Sequence, residues 1–441
     1  DGKLRDWKVF DYCLSADQIA SLYAGSYNVT PWHHWAADDD GGSTLTDTGT
    51  ATAINGTIDG ATFSDGTLNL DDRLTIETTG SLSAPRGVLE FCGNLDINCT
   101  NVDITSAGNQ FIHNNGKFTA KDAVDAFLAP NGATFFDFNL ETTSGHDIDL
   151  RENITILGTL DLTGSNDIFV VDAANAAGNI TMTMGNDDNQ AIIESDTADT
   201  LRFNPHATRE ILITGGSSLK PCRVTGQDWK WDNGAAGAAG IKLANMKFEV
   251  AVNTDTGAGN AVKIILDGDC EFTAFTISSG DTFDLNGKRA EFSGGLWVGT
   301  GGTLTDGGDD SLIHITGTSQ LRGDSVQWCF GHHDENPSIT LGNTDMIISG
   351  GAASMKMAGT ANDFARTVLI SGSGAQKIDS GVGFCPTNLI AASEINTNAS
   401  GSHKITTTDL TVPVGGTLTA NGSTLTVAGD FTTSGGLIGK S

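Results

Sequence analysis

Apolar and polar positions alternate along most of this chain. Ile154, Ile156, Leu160 and Leu162 fall at every second position, with Thr155, Thr159 and Asp161 between them. A period of two places the apolar set on one side of an extended strand and the polar set on the other. Leu410, Val412 and Val414 lead to Leu418 in the same way, and Leu425 with Val427 repeats the pattern. Threonine fills many of the outward positions, as a β-branched polar residue does on a solvated strand face. Asn131-Gly132, Asp267-Gly268, Asn286-Gly287 and Asn421-Gly422 cut the strands into short pieces. Such pairs favour tight turns.

One strand-turn unit recurs. Gly158-Thr159-Leu160-Asp161-Leu162 has variants at Gly66-Thr67-Leu68, Gly302-Thr303-Leu304 and Gly416-Thr417-Leu418. Internal repetition of this kind marks a solenoid, in which successive coils stack along an axis. The unequal spacing predicts coils of unequal length. At roughly 20–30 residues per coil, residues 66–441 hold on the order of a dozen coils, a rod about 60 Å long. The predicted class is all-β, an irregular parallel β-helix. A string of β-sandwiches is the alternative, since it too shows short strands between turns.

Residues 1–27 read differently. Lys3 to Tyr12 suits a strand, and Ser15 to Gly25 suits a short helix with Ser15 as N-cap, Asp17 in the first turn and Gly25 as C-cap. Ile19, Leu22 and Tyr23 share one helical face. The run Asp6-Trp7-Lys8-Val9-Phe10-Asp11-Tyr12-Cys13-Leu14-Ser15-Ala16-Asp17-Gln18-Ile19-Ala20-Ser21-Leu22-Tyr23 resembles the C-terminal end of laminin-G-like, concanavalin-type jelly rolls. That resemblance implies a jelly-roll tail at 1–27, with the body upstream of this sequence. Residues 33–76, with His33-His34-Trp35, Asn55-Gly56-Thr57 and Leu68-Asn69-Leu70-Asp71, echo the start of the same family, and residues 28–65 read as a connector or truncated jelly-roll start. The 66–441 repeats are similar to β-helical repeats of phage fibres and bacterial surface proteins.

Composition narrows the partners. The chain has 441 residues, with 24 Lys and Arg against 54 Asp and Glu, a net charge of −30. Such a surface repels phosphate backbones and anionic lipid, which argues against nucleic-acid binding. The sequence has no apolar run long enough to span a bilayer, so membrane insertion is not expected. Apolar residues make up 38 %, too many for a disordered polar chain. The seven cysteines are irregularly spaced without a CxxC. They fit buried thiols formed in a reducing cytoplasm better than a disulfide framework or a zinc site.

Candidate chemistry is sparse. Asp38-Asp39-Asp40, Asp187-Asp188 and Asp309-Asp310 read first as solvated turns. Such oxygen-rich turns also suit calcium, the one cofactor the sequence admits. His332-His333-Asp334-Glu335-Asn336 is the densest polar cluster; neighbouring strand positions point to opposite sides, so only a loop could converge its ligands. His33-His34 is a weaker version. Trp229 and Trp231 form the best binding candidate, because alternate strand positions place both indoles on one side, where rings stack on sugars. Covering a solenoid end or an insertion is the plainer role for them. No nucleophile elbow or phosphate loop stands in a suitable context.

The expectation is therefore a non-enzymatic virion appendage of a phage, a fibre or spike on the virion surface that contacts a host cell-surface glycan and other virion proteins. The resemblance to fibres implies self-association as a homotrimer. A secreted bacterial adhesin or surface-layer protein, extracellular or on the cell surface, is one alternative. A tailspike that degrades polysaccharide with paired carboxylates is the other.

Overall fold

The computed structural model describes residues 6–23, 30–36, 44–45, 49–50, 56–57, 63–64, 67–70, 73–77, 82–85, 87–97, 111–113, 115–122, 126–142, 147–163, 168–195, 200–204, 206, 208–226, 229–230, 240–254, 261–299, 301–316, 327–330, 338–350, 354–357, 365–372, 376–380, 386–397, 404–421 and 424–440. Among the described strands from Thr67 onward every pairing is parallel and joins a strand to one in the coil before or after it. Parallel pairing between coils is the geometry of a β-helix and not of β-sandwiches built from antiparallel strands. The protein is an all-β parallel solenoid.

Each complete coil contributes strands to three faces. Face A takes Thr67–Leu70, Lys117–Asp122, Thr159–Leu162, Cys222–Thr225, Arg289–Phe292, Asn388–Ala391 and their counterparts. Face B takes Leu74–Ile76, Asp147–Leu150, Leu296–Val298, Glu394–Thr397 and theirs. Face C takes Ile154–Ile156, Ile211–Gly215, Thr303–Thr305 and theirs. Two long strands, Met246–Asn253 and Cys270–Ile277, run over faces A and B without a break. A register shift between Phe248 and Ala251 turns the corner there. Coil-to-coil hydrogen bonds join residues 19 apart at Val262 and Asp281, 33 apart at Phe127 and Asn94, and 37 apart at Asn343 and Asp306. Unequal coil length is thus absorbed at the corners while the strands stay in register. The stack on face A makes a rod about 70 Å long at the ~4.8 Å spacing of paired strands.

The alternation fixes what is inside. One inward column on face A runs Leu68, Leu89, Phe118, Phe138, Leu160, Ile193, Val224, Phe248, Phe272, Phe292, Ile315, Ile348, Ile370 and Ala391, each the register partner of the next. All but Leu68 are buried, and Leu68 packs against the core. The neighbouring column stacks Cys222, Met246 and Cys270. Both thiols are free and buried, and burial pushes the Cys270 thiol up to about 12 and that of Cys222 higher still. They act as small apolar residues. Cys13, by contrast, is exposed.

The Gly-Thr-Leu units do not occupy one phase of the coil. Those at 67 and 159 lie on face A, that at 303 on face C and that at 417 on face B. They share a local task. Leu160, Leu304 and Leu418 are fully buried, and the preceding glycine lies where the previous coil comes close. A Cβ on Gly416 would run into the carbonyl oxygen of Ala391. Replacing Gly416 with Ala is expected to destabilise the last coils by about 1–3 kcal/mol through this overpacking. Loss of amide-exchange protection confined to residues 388–440 is the readout. The Asn131-Gly132 and Asn286-Gly287 pairs are turns with both residues in the left-handed region, φ 51° and 77° in the first and 47° and 73° in the second. Val414, expected to follow Leu410 and Val412 inward, instead sits in a corner and is 82 % exposed.

Before the solenoid, Asp6–Val9 pairs antiparallel with His33–Ala36, and a helix spans Ala16–Tyr23. The Gln18 backbone N–H donates to Ser15 Oγ (3.3 Å) and the Ser15 N–H to Gln18 Oε1 (2.8 Å), a reciprocal capping box. Val9, Tyr12, Ile19 and Trp32 in this module all keep more than a third of their surface exposed.

Candidate functional site

With the core columns turned inward, chemistry is left to the outer columns. On face A one outer column reads Arg223, Lys247, Glu271, Glu291, His314 in successive coils. Parallel in-register stacking brings these side chains side by side at one strand spacing. Lys247 Nζ lies 2.8 Å from Glu271 Oε2, and His314 Nδ1 lies 3.3 Å from Glu291 Oε2. Arg289, two residues before Glu291, pairs with it as well. Arg223 grips Glu249 with two bonds of 3.0 and 2.7 Å. Hydrogen bonding to Glu271 raises the Lys247 ammonium pKa, and the Arg223 guanidinium holds the Glu249 carboxyl below the usual carboxylate range. A shallow recess beside the ladder is lined by Pro221, Asn245, Asp269, Glu271, Arg289 and Glu291.

Glu271 and Glu291 are register partners, the paired carboxylates a hydrolase needs. Here each carboxylate has a cation against it. These solvent-facing pairs are each worth at most about 1 kcal/mol, and they lace neighbouring coils together. Beyond His314 the same column turns aliphatic at Ile347, Leu369 and Ile390.

Face B carries a second charged group. Arg151 bonds Asp149 (3.0 Å) and lies 4.8 Å over the Phe127 ring, while Arg202 bonds Asp147 (3.1 Å). Burial, with Asp172 and Asp147 nearby, raises the Asp149 pKa against the pull of Arg151.

Trp229 begins the strand Trp229–Lys230 on face B and is the register partner of Val252. That column continues through Phe275 and Leu296, and Val252, Phe275 and Leu296 are all buried. Trp231 lies outside the described residues, as do Asp38-Asp39-Asp40 and His332 to Asn336. His33 is buried on the strand that pairs with Asp6–Val9, its ring 4.8 Å from that of Trp32. Asp187 and Asp188 lie in an exposed turn organised by Asn186 Oδ1, which accepts from the Asp188 and Asn189 N–H groups. Asp310 is paired with Arg366 at 2.7 Å. Among the described residues no three His, Cys, Asp or Glu side chains gather as a metal site.

The aromatic that the sequence reading passed over is Trp297, in the strand Leu296–Val298 and 47 % exposed between two buried neighbours. Its signal was present. Leu296 and Val298 claim the core, so the residue between them must face out. No protein-family model matches the chain, and no curated protein or solved structure does either.

Proposed function

We propose that this chain is a non-enzymatic attachment fibre of a phage virion, a rigid appendage that holds glycan-binding surfaces toward a host cell. The single observation carrying this reading is the unbroken core column from Leu68 to Ala391. A quasi-one-dimensional stack of this kind makes length and stiffness, and it leaves its outer faces free to vary. The acidic surface keeps such a rod soluble and apart from like-charged polymers. Residues 1–27 would be the tail of a jelly roll, whose remaining strands would cover the half-exposed Val9, Tyr12, Ile19 and Trp32. Self-association as a homotrimer belongs to the same reading.

Immunogold labelling tests it, with antibodies raised against the chain and applied to particles and cells of a culture that encodes it. Gold on virions is the expected result. Gold confined to the bacterial envelope would replace this reading with that of a secreted adhesin. Release of oligosaccharides from exopolysaccharide by the purified chain would overturn its non-enzymatic part.

A further inference from the structure

We propose that Trp297 is the stacking platform of a carbohydrate subsite on the outer surface of face B, specific for uncharged pyranosides. This rests on the glycan-attachment reading above and gives it a place and a ligand class. Indole rings are among the largest apolar groups a protein can bury, and most are mainly covered. Trp297 keeps 47 % of its surface exposed in the middle of a regular strand.

Along its own strand the ring is left bare, and its register partner in the next coil is Cys329. Positions two before and two after a strand residue lie on the same side. Here those positions are Gly295 and Gly299, so no side chain flanks the indole along the strand. A Cβ at Gly299 would stand 3.3 Å from the Ile277 carbonyl oxygen, a tight contact that asks its neighbour to give by a few tenths of an ångström. The coils before it supply the polar half of a sugar site. Asn253, Thr276 and Trp297 are register partners in one outer column, which places an amide and a hydroxyl beside the ring at successive strand spacings. Ser278 Oγ approaches Asn253 Oδ1 at 3.2 Å and adds a second hydroxyl.

A pyranose offers a flat C–H face to an aromatic ring and hydroxyls at its rim to amide and hydroxyl groups. Asn253, Thr276 and Trp297 carry no formal charge, Lys230 enters the same column only three strand spacings from Trp297, and the chain as a whole carries −30. The field therefore disfavours sugars bearing carboxylate, sulfate or phosphate. An indole Nε1–H is a hydrogen-bond donor that suits a sugar oxygen.

The test applies the full chain and its Trp297→Ala and Trp297→Phe variants to an array of neutral and uronate- or sialate-bearing glycans, with tryptophan fluorescence titrated against the retained glycans. Retention of neutral glycans is expected, weakened at least ten-fold in Trp297→Ala and less in Trp297→Phe, with unchanged circular dichroism in both. Equal binding by Trp297→Ala would overturn the subsite and leave the attachment reading standing. Preference for acidic glycans, or no retention of any neutral glycan, would also overturn it. Absence of the chain from virions is a separate result and strikes only the attachment reading.

Discussion

Phe272→Ala is expected to cost about 3–5 kcal/mol, the range for removing a fully buried aromatic from a packed core. Phe272 is 2 % exposed and sits in the middle of the longest aromatic run of the solenoid. Its ring stacks on Phe248 at 5.2 Å and on Phe292 at 5.4 Å, in the coils before and after it. It also meets Phe275 and Phe283 edge-on, at 4.9 and 5.8 Å. One side chain therefore joins three consecutive coils and all three faces, and its loss leaves a cavity that four rings border. In a solenoid each coil contacts chiefly its neighbours, so the damage should stay local. Amide exchange should accelerate across residues 246–292 and stay near wild type across 137–162. A uniform loss of protection along the whole rod would show that the stack unfolds as one unit, contrary to this account. Phe272→Leu, which keeps most of the volume, should recover more than half of the loss.

Asp306→Ala comes second, at about 3 kcal/mol. Asp306 is 2 % exposed at the corner between faces C and A. Its Oδ1 accepts from the Gly308 N–H (2.9 Å), and its Oδ2 accepts from the Asn343 N–H (2.8 Å) and from Thr344 Oγ1 (3.3 Å). The first bond shapes its own turn and the other two fasten the next coil. Removing the carboxylate orphans the buried Thr344 hydroxyl and two part-buried backbone donors, at about 1–3 kcal/mol for a group left buried without a partner and less where water can reach the donor. Asp306→Asn keeps one acceptor oxygen and should lose about half as much. Thermal unfolding followed by circular dichroism measures both. Equal melting of the Ala variant and wild type would mean that water replaces the carboxylate and that the corner does not depend on it.

These two residues also mark how far the sequence could be read. The inward place of Phe272 follows from its strand alone, where Cys270 and Phe272 alternate with Glu271. The burial of Asp306 does not. In the sequence it is one more acidic residue beside Gly307 and Gly308, and only the coil that begins near Asn343 turns it into a shared acceptor. The candidate sites divide in the same way. The outward placing of Trp297 was legible from Leu296 and Val298, but the bare ring and the Asn253–Thr276 column needed the register. For Glu271 and Glu291 too, register alone makes them neighbours and sets Lys247, Arg289 and His314 against them.

The sequence by itself determined the inward and outward residues within the strands, the Asn-Gly turns and the solenoid class, though not where a strand gives way to a corner, as at Val414. All of these follow from a period of two and from backbone preferences that act within a few residues. The tertiary structure decided which coil lies on which, and so the stacking of Phe248, Phe272 and Phe292, the charge ladder on face A and the three faces shared among the Gly-Thr-Leu units. Coil-to-coil strand pairing joins residues 19 to 35 apart through backbone hydrogen bonds and side-chain packing. Any strand of the right alternation could make such bonds, and only the closed stack, with its corner lengths, selects the partner.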